Sequence, residues 1–322
     1  MLEAFKPVAG ELRQAQEALR RVGEGSAGVF ARMSADLAAR PGKGLRPGMF
    51  LLAARACGPI RPALVDVAAA IEMIHAASLV HDDVLDGAAL RRDRPAACRR
   101  WGNRAAVLYG DLLFSTAFRI AAETGLPDAF GALARVVESL CLGEGLQVAL
   151  GEAPAALTPA SAMETATRKT ACFFAEVASS GIRCAGGSEE DATCMYAWGL
   201  HFGRAYQVVD DVLDVVGDEK AEGKTLRSDV RLSRPTLPLA LLLERAPVEA
   251  RAHLPACDDS AAETLMSLMR RTGALADSLD RADDELRRAR GSLPASMNGL
   301  AESFHSLAAG LEEKRRAFAD SL

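Results

Sequence analysis

Apolar residues recur at three- and four-residue spacing along almost all of this 322-residue chain, and no segment alternates with period two for long enough to make a strand. The pattern restricts the fold to helices packed on helices. Aromatic residues, 5% of the chain, point the same way, because strands draw on aromatic and β-branched side chains whereas the abundant Ala, Leu and Arg favour helices. The periodicity predicts helices near 8–22, 25–40, 47–57, 62–86, 104–123, 127–150, 158–185, 189–217, 236–246, 259–290 and 296–319. Connectors are short except around Gly87 to Asn103 and Asp218 to Arg234, which are polar and charged; loops of that length in a helical domain commonly wall or cover a site. No Ser/Gly-rich or Pro-rich linker divides the chain and no repeat recurs at a fixed period, so residues 1–322 are expected to form one large all-α domain.

The charge balance, 43 acids against 38 bases, is mildly acidic and lacks the basic stripe of a nucleic-acid binder. The first residues show no basic segment followed by an apolar run, so no secretory signal is expected. A bilayer span needs about 18 uncharged apolar residues. The nearest stretch, Val65 to Val80, carries Asp66, Glu72 and His75, so the expectation is a cytoplasmic protein with no membrane span. Seven cysteines, an odd number without a C-x-x-C pair, read as free thiols packed as small hydrophobes.

Two segments are near-copies: LVHDDVLD, with Asp82, Asp83 and Asp86, and QVVDDVLD, with Asp210, Asp211 and Asp214. A random chain of this composition would hold on the order of 0.1 copies of such a D-D-x-x-D pattern, so the duplication is informative. On a helix, residues four apart stack on one face, which puts Asp82 over Asp86 and Asp210 over Asp214 at the ends of apolar helices. Clustered carboxylates repel and call for cations; their oxygens suit Mg²⁺, which commonly bridges protein acids to substrate phosphates. Asp277, Asp280, Asp283 and Asp284 differ, lying among Arg281, Arg287 and Arg288 as a solvated, ion-paired face.

Bases stand beside the acidic motifs. Lys43 and Arg46 lie in a glycine-containing loop just before a predicted helix, Arg91 and Arg92 follow the first motif, and Lys169-Thr170 opens the segment KTACFF. Lys224 and Arg234 fall in the long loop after the second motif. Guanidinium groups grip phosphate oxygens through two parallel bonds, and lysine acts as a point charge. His75, two turns before Asp82, and Gln207, one turn before Asp210, are further candidates.

Taken in order along roughly residues 40 to 245, GKGLRP, IHAASLVHDDVLDGAALRRDRP, GNRAAVLYGDLLF, KTACFFAEVASSG, FGRAYQVVDDVLD and GKTLRSDVRLSRPTLPLALL resemble the trans-isoprenyl diphosphate synthase (polyprenyl synthetase) family, of the longer-chain type. The resemblance implies a single helical bundle of the isoprenoid synthase type, with the two motifs facing each other across a central cavity, commonly as a homodimer. It implies Asp82, Asp86 and Asp210 as Mg²⁺ ligands, three ions per active site once substrate is bound, with Asp83, Asp211 and Asp214 in or near that shell. Lys43, Arg46, His75 and Arg92 would hold isopentenyl diphosphate. Arg91, Lys169, Thr170, Gln207, Lys224 and Arg234 would grip the allylic diphosphate. The six aspartates with Lys169, Thr170 and Gln207 make up the implied catalytic set.

The growing prenyl tail would pass Ala77 and Ser78, one turn before Asp82, where an aromatic would block a short product. Ile74 lies deeper and Phe114 is a candidate floor, so a product longer than farnesyl is expected. The chain departs from the family at three places: Gly44 stands where a second base is usual, Asp93 where glycine is common, and Ser233-Arg234 replaces Gly-Lys. A terpene cyclase or head-to-head condensing enzyme would share the architecture and one acidic motif. The second full motif, the Lys43/Arg46 loop and the lack of an N-x-[ST]-x-x-x-E pattern argue against it. A noncatalytic partner subunit would be marked by loss of a motif, and both are present.

Overall fold

The computed structural model describes residues 2–22, 28–39, 42–91, 94–217, 228–254, 258–297 and 299–319. After a 3₁₀ segment, Leu2–Val8, the chain forms α1 (Ala9–Arg21), α2 (Val29–Ala38), α3 (Leu45–Ala56), α4 (Pro62–Leu85), α5 (Ala97–Trp101), α6 (Asn103–Glu123), α7 (Ala129–Glu152) and α8 (Pro159–Ala166). There follow α9 (Cys172–Ala185), α10 (Glu189–Val216), α11 (Ser228–Arg231), α12 (Leu237–Arg245), α13 (Pro247–His253), α14 (Asp259–Arg271), α15 (Ala274–Ser292) and α16 (Ala301–Ala319). The all-α expectation therefore holds.

Three predicted features change. The loop after the first acidic motif contains a pair of two-residue antiparallel strands, β1 (Leu90–Arg91) and β2 (Arg94–Pro95), which are too short to show a period in sequence. The helix expected over 158–185 is interrupted by a π-turn, Thr167–Ala171. The helix expected over 259–290 breaks at Thr272-Gly273, where Arg245 donates to the Thr272 carbonyl at 2.7 Å.

Local chemistry sets the helix starts. Pro62 opens α4 behind an extended Arg61, its missing N–H costing nothing in the first turn. Thr158 and Ser161 form a reciprocal capping box on α8, and Asp258 accepts from the Ala261 N–H at 2.8 Å to cap α14.

The residues group into two compact units. The first comprises Met1–Val137, Phe174–Ala197 and Leu293–Ser306. Its core includes Phe50, Ile71, Ile74, Tyr109, Phe174 and Phe304, all at most 1% exposed. Burying each such side chain contributes about 1.5–3 kcal/mol before ordering entropy is subtracted. The second unit comprises Glu138–Phe173, Trp198–Ser292 and Leu307–Leu322, with Trp198 and Phe202 stacked at 4.9 Å in its core. There the acids of α15 are ion-paired as expected: Asp284 with Arg287, Asp277 with Arg245, and Asp283 with Arg315 at 2.7 Å.

Among the described residues two helices, α4 and α6, are long and apolar enough to cross a membrane by length and composition. Helix α4 is a core helix, 67% buried over its most apolar stretch, whereas α6 is 33% buried and exposes Val107 and Leu108.

A part-buried charge network lies in the first unit. Arg135 Nε lies 3.0 Å from both carboxylate oxygens of buried Glu176, and its Nη2 reaches Asp128 at 2.9 Å. These two carboxylates drive the Arg135 guanidinium pKa above its ordinary value. Replacing Arg135 with Met would leave Glu176 buried without its main cation. We expect a loss of about 2–3 kcal/mol, read as a lower urea midpoint at unchanged m-value. A shift below about 0.5 kcal/mol would show the network to be dispensable.

Candidate active site

In the first unit, α4 ends in the first acidic motif. Asp82 and Asp86 are half-buried and one turn apart, and the Asp86 N–H donates to the Asp82 carbonyl at 2.8 Å as the helix closes. Asp83 turns inward, 3% exposed, onto Arg91 of β1: Nε donates to Oδ1 at 2.9 Å and Nη2 lies 2.8 Å from the same oxygen. Burial pushes the Asp83 pKa up, Arg91 opposes that shift, and Asp86 adds to it. The Asp83 carbonyl accepts from the Ala88 N–H at 3.0 Å and from the buried Cys98 thiol at 3.2 Å, fixing the chain as it leaves the motif.

Arg46 and His75 meet in the same unit. Arg46 Nη1 donates to His75 Nε2 at 3.2 Å, and its guanidinium lies 4.6 Å from the Phe174 ring centroid. A guanidinium only donates, so this His75 nitrogen accepts and the ring proton sits on Nδ1. Lys43 is exposed in the loop that leads into α3. Gly44 takes φ +62°, and a Cβ there would sit 2.9 Å from Gln16 Nε2 and 3.1 Å from Leu12 Cδ1. Backbone and packing together explain why no second base occupies this position.

A cavity of about 100 Å³ opens beside these groups, lined among others by Glu72, His75, Asp83, Arg91, Trp101 and Tyr109. From α4 it takes Ala76, Leu79 and Val80. Ala77 and Ile74 are fully buried away from it, while Ser78 donates to the His75 carbonyl at 2.9 Å. Phe114 of α6 packs edge-on against His81 at 5.6 Å.

In the second unit, α10 ends in the second motif. Asp210 is half-buried and lies 3.8 Å from Lys314 of α16. Asp211 and Asp214 are buried. Asp211 accepts from Gln207 Nε2 at 2.7 Å, and Asp214 accepts from the Asp229 N–H at 3.0 Å. Burial foremost, then the nearby Asp229, Asp210 and Asp214, pushes the Asp211 carboxyl well above the usual range, against the opposing Gln207 bond. Arg234 pairs with Asp229 at 2.8 Å, and Ser233 before it adopts φ +49°, a left-handed conformation suited to the glycine it replaces.

Lys169 and Thr170 lie on the π-turn. Thr170 Oγ1 donates to Gln207 Oε1 at 2.6 Å, so Thr170, Gln207 and Asp211 form one hydrogen-bonded chain. Lys169 Nζ donates to Gln147 at 3.0 Å and pairs with Glu144, both on α7. The close approach requires Gly143, where a Cβ would fall 2.9 Å from the Lys169 backbone nitrogen.

Arg92, Asp93 and Lys224 lie outside the described residues. Sequence reasoning missed Glu144, Gln147, Asp229 and Lys314. None sits in a recognisable motif; six lysines in the whole chain was the one signal that could have singled out Lys314.

The family model "Polyprenyl synthetase" matches residues 28–269. The chain belongs to the polyprenyl synthetase family. It is 34% identical over 284 residues to heptaprenyl diphosphate synthase component 2 of Geobacillus stearothermophilus, covering 87% of this chain and 88% of that one. It is 37% identical over 243 residues to a short chain isoprenyl diphosphate synthase of Methanothermobacter thermautotrophicus, covering 74% of each. The crystal structure of a Caulobacter crescentus polyprenyl synthase complexed with calcium and isoprenyl diphosphate has a TM-score of 0.88 at 31% identity, covering 96% of this chain and 97% of that one. Polyprenyl synthetases are prenyltransferases, and this chain shares their all-helical isoprenoid synthase fold.

The donor set fits a hard cation. Among the described residues no three His, Cys, Asp or Glu side chains converge on a closed metal site. Magnesium does not need one, because it binds through one or two carboxylates, retained waters and substrate phosphates. Asp82, Asp86 and Asp210 are the partly exposed members of the two motifs.

The Asp211 shift has a sign. Its folded pKa lies above its unfolded one, so the folded chain keeps the proton over a range where the unfolded chain has released it, and stability falls as pH rises through that range. Asp211→Asn keeps an oxygen for Gln207 and removes the charge. In EDTA we expect a higher Tm than wild type at pH 8, with the gain closing toward about pH 4, near the unfolded carboxylate pKa. A Tm at pH 8 no higher than wild type would show that the crowding is relieved some other way.

Proposed function

We propose that this polyprenyl synthetase condenses isopentenyl diphosphate head-to-tail with an allylic diphosphate, in trans geometry, to give a polyprenyl diphosphate longer than farnesyl. The observation that carries the reading is the duplicated aspartate motif, each copy ending an apolar helix with phosphate-gripping bases beside it. Asp82, Asp86 and Asp210 would hold magnesium, which would supply positive charge to the departing diphosphate. Residues 1–322 are proposed as a single isoprenyl diphosphate synthase domain.

The chain's own groups orient the reactants. Lys43, Arg46, His75 and Arg92 hold isopentenyl diphosphate, with Arg46 kept in place by Phe174 and His75. Lys169, Thr170, Gln207, Arg91, Lys224 and Arg234 serve the allylic diphosphate. The allylic C–O bond breaks with its electron pair going to the diphosphate. The π electrons of isopentenyl diphosphate then form the new C–C bond, and the resulting cation loses a proton to a diphosphate oxygen. No side-chain nucleophile takes part, and the apolar walls matter because water would quench the cation.

Small residues at Ala77 and Ser78 support the longer product, as does the similarity to a heptaprenyl synthase component. Incubation with Mg²⁺, isopentenyl diphosphate and farnesyl diphosphate should give products beyond fifteen carbons by chromatography, and Ala77→Phe should shorten them. A wild-type product that stops at fifteen carbons would remove the length assignment. Asp82→Asn or Asp210→Asn should cost about 10²–10³-fold in rate. A hydrocarbon product made without isopentenyl diphosphate would favour a cyclase instead.

The protein acts in the cytoplasm as a homodimer through the exposed apolar face of α6, where Val107 and Leu108 are 41% and 49% exposed. Leu108→Glu should convert a dimer to a monomer by light scattering. Wild type that elutes as a monomer at micromolar concentration would contradict this.

A further inference from the structure

Beyond the groups assigned above, one arginine is built into the support of the π-turn. Arg204 of α10 donates from Nε to Thr167 Oγ1 at 2.9 Å. Three residues on, Gln207 of the same helix accepts from Thr170 at 2.6 Å. Thr167 and Thr170 are themselves three apart, so the segment carrying Lys169 is pinned to α10 by two rungs in register. Thr167 Oγ1 in turn donates to the Met163 carbonyl at 2.7 Å, which ties the first rung to the last turn of α8.

A π-turn needs this help. It departs from the α-helical hydrogen-bond ladder, and such turns recur at functional positions because they re-aim side chains at a cost to the backbone. On its far side the turn is held by Ser139, which donates to the Arg168 carbonyl at 3.0 Å, and by the α7 contacts of Lys169. On the α10 side it is held by Arg204 and Gln207.

Arg204 is itself positioned. Its Nη1 lies 4.0 Å from Glu285 Oε2, an oxygen that also contacts His201 Nδ1 at 2.6 Å, and Arg288 approaches the other oxygen at 3.8 Å. Glu285 thus gathers three basic side chains, and Arg204 is the one that reaches the π-turn.

We propose that Arg204 is a positioning residue for the allylic diphosphate, acting through Thr167 to set the direction of Lys169 and Thr170. The proposal rests on the assignment of those two residues to the allylic substrate. If it is right, loosening the turn weakens the allylic grip and leaves isopentenyl diphosphate untouched.

The test is steady-state kinetics on Arg204→Met, Arg204→Lys, Thr167→Val and the Met/Val double variant, each with its Tm. A misdirected turn should raise the allylic KM and lower kcat/KM roughly tenfold, with the isopentenyl KM unchanged. Thr167→Val removes only the acceptor and should reproduce the effect, and the double variant should be no worse than either single one. Arg204→Lys, which keeps the charge near Glu285, should recover Tm without full recovery of the allylic KM. A wild-type allylic KM in a folded Arg204→Met or Thr167→Val would overturn the proposal. So would equal loss on both substrates that tracks Tm, which would make Arg204 a stability residue. Should Arg204→Met not fold, Thr167→Val alone decides. A wild-type enzyme inactive with both diphosphates would instead sink the prenyl-transfer assignment.

Discussion

The constraint on which the second acidic motif depends is the crowding of carboxylates that are also buried. Asp211 and Asp214 are 6% and 4% exposed, with Asp210 and Asp229 close by. Two such charges ~4 Å apart repel by about 1 kcal/mol in water and about 4 kcal/mol at the effective dielectric near a protein surface. The surroundings are explicable as partial remedies: an amide donor from Gln207, a backbone donor from Asp229, Lys314 beside Asp210 and Arg234 on Asp229. These donors leave the Asp211 pKa raised rather than restored.

The first motif solves the same problem differently. Its inward aspartate, Asp83, meets two nitrogens of Arg91, and the short β1–β2 pair is what delivers that guanidinium back to the end of α4. A charged hydrogen bond of this kind is stronger than a neutral amide contact and lowers the penalty of burial. Two octapeptides of nearly the same sequence therefore end in unlike environments, because the segments that follow them differ: a strand pair carrying Arg91 in one case, the short helix α11 carrying Asp229 in the other.

Much of this was legible beforehand because it lives in periodicity and motif spacing. The long helices follow from apolar residues three and four apart, and the one-turn spacing of Asp82 and Asp86, and of Asp210 and Asp214, follows from helical geometry. What escaped depends on tertiary partners or on single backbone angles. A π-turn adds one residue to one turn and leaves the apolar period of 158–185 almost intact, so Thr167–Ala171 read as plain helix. Glu144 and Gln147 look like ordinary polar positions on α7 until Gly143 lets the π-turn descend onto them. Asp229 is one carboxylate in a charged loop until its backbone N–H meets Asp214.

The family departures gain meaning from the same backbone angles. At Gly44 the left-handed φ of +62° and the contacts of α1 would penalise any side chain, so the chain offers Lys43 and Arg46 there and no third cation between them. With fewer charges available, the aim of each matters more. Arg46 is held in the way that demands, its face on the Phe174 ring and its edge on His75, so that little rotamer freedom remains to be lost when an anion arrives. Ser233 shows the opposite trade: it keeps the left-handed turn at φ +49° without being glycine, accepts the strain, and uses its hydroxyl to donate to the Leu254 carbonyl at 3.2 Å. That bond ties the turn ahead of Arg234 to the residue that caps the end of α13, so the substitution exchanges backbone ease for an anchor on the segment that pairs with Asp229.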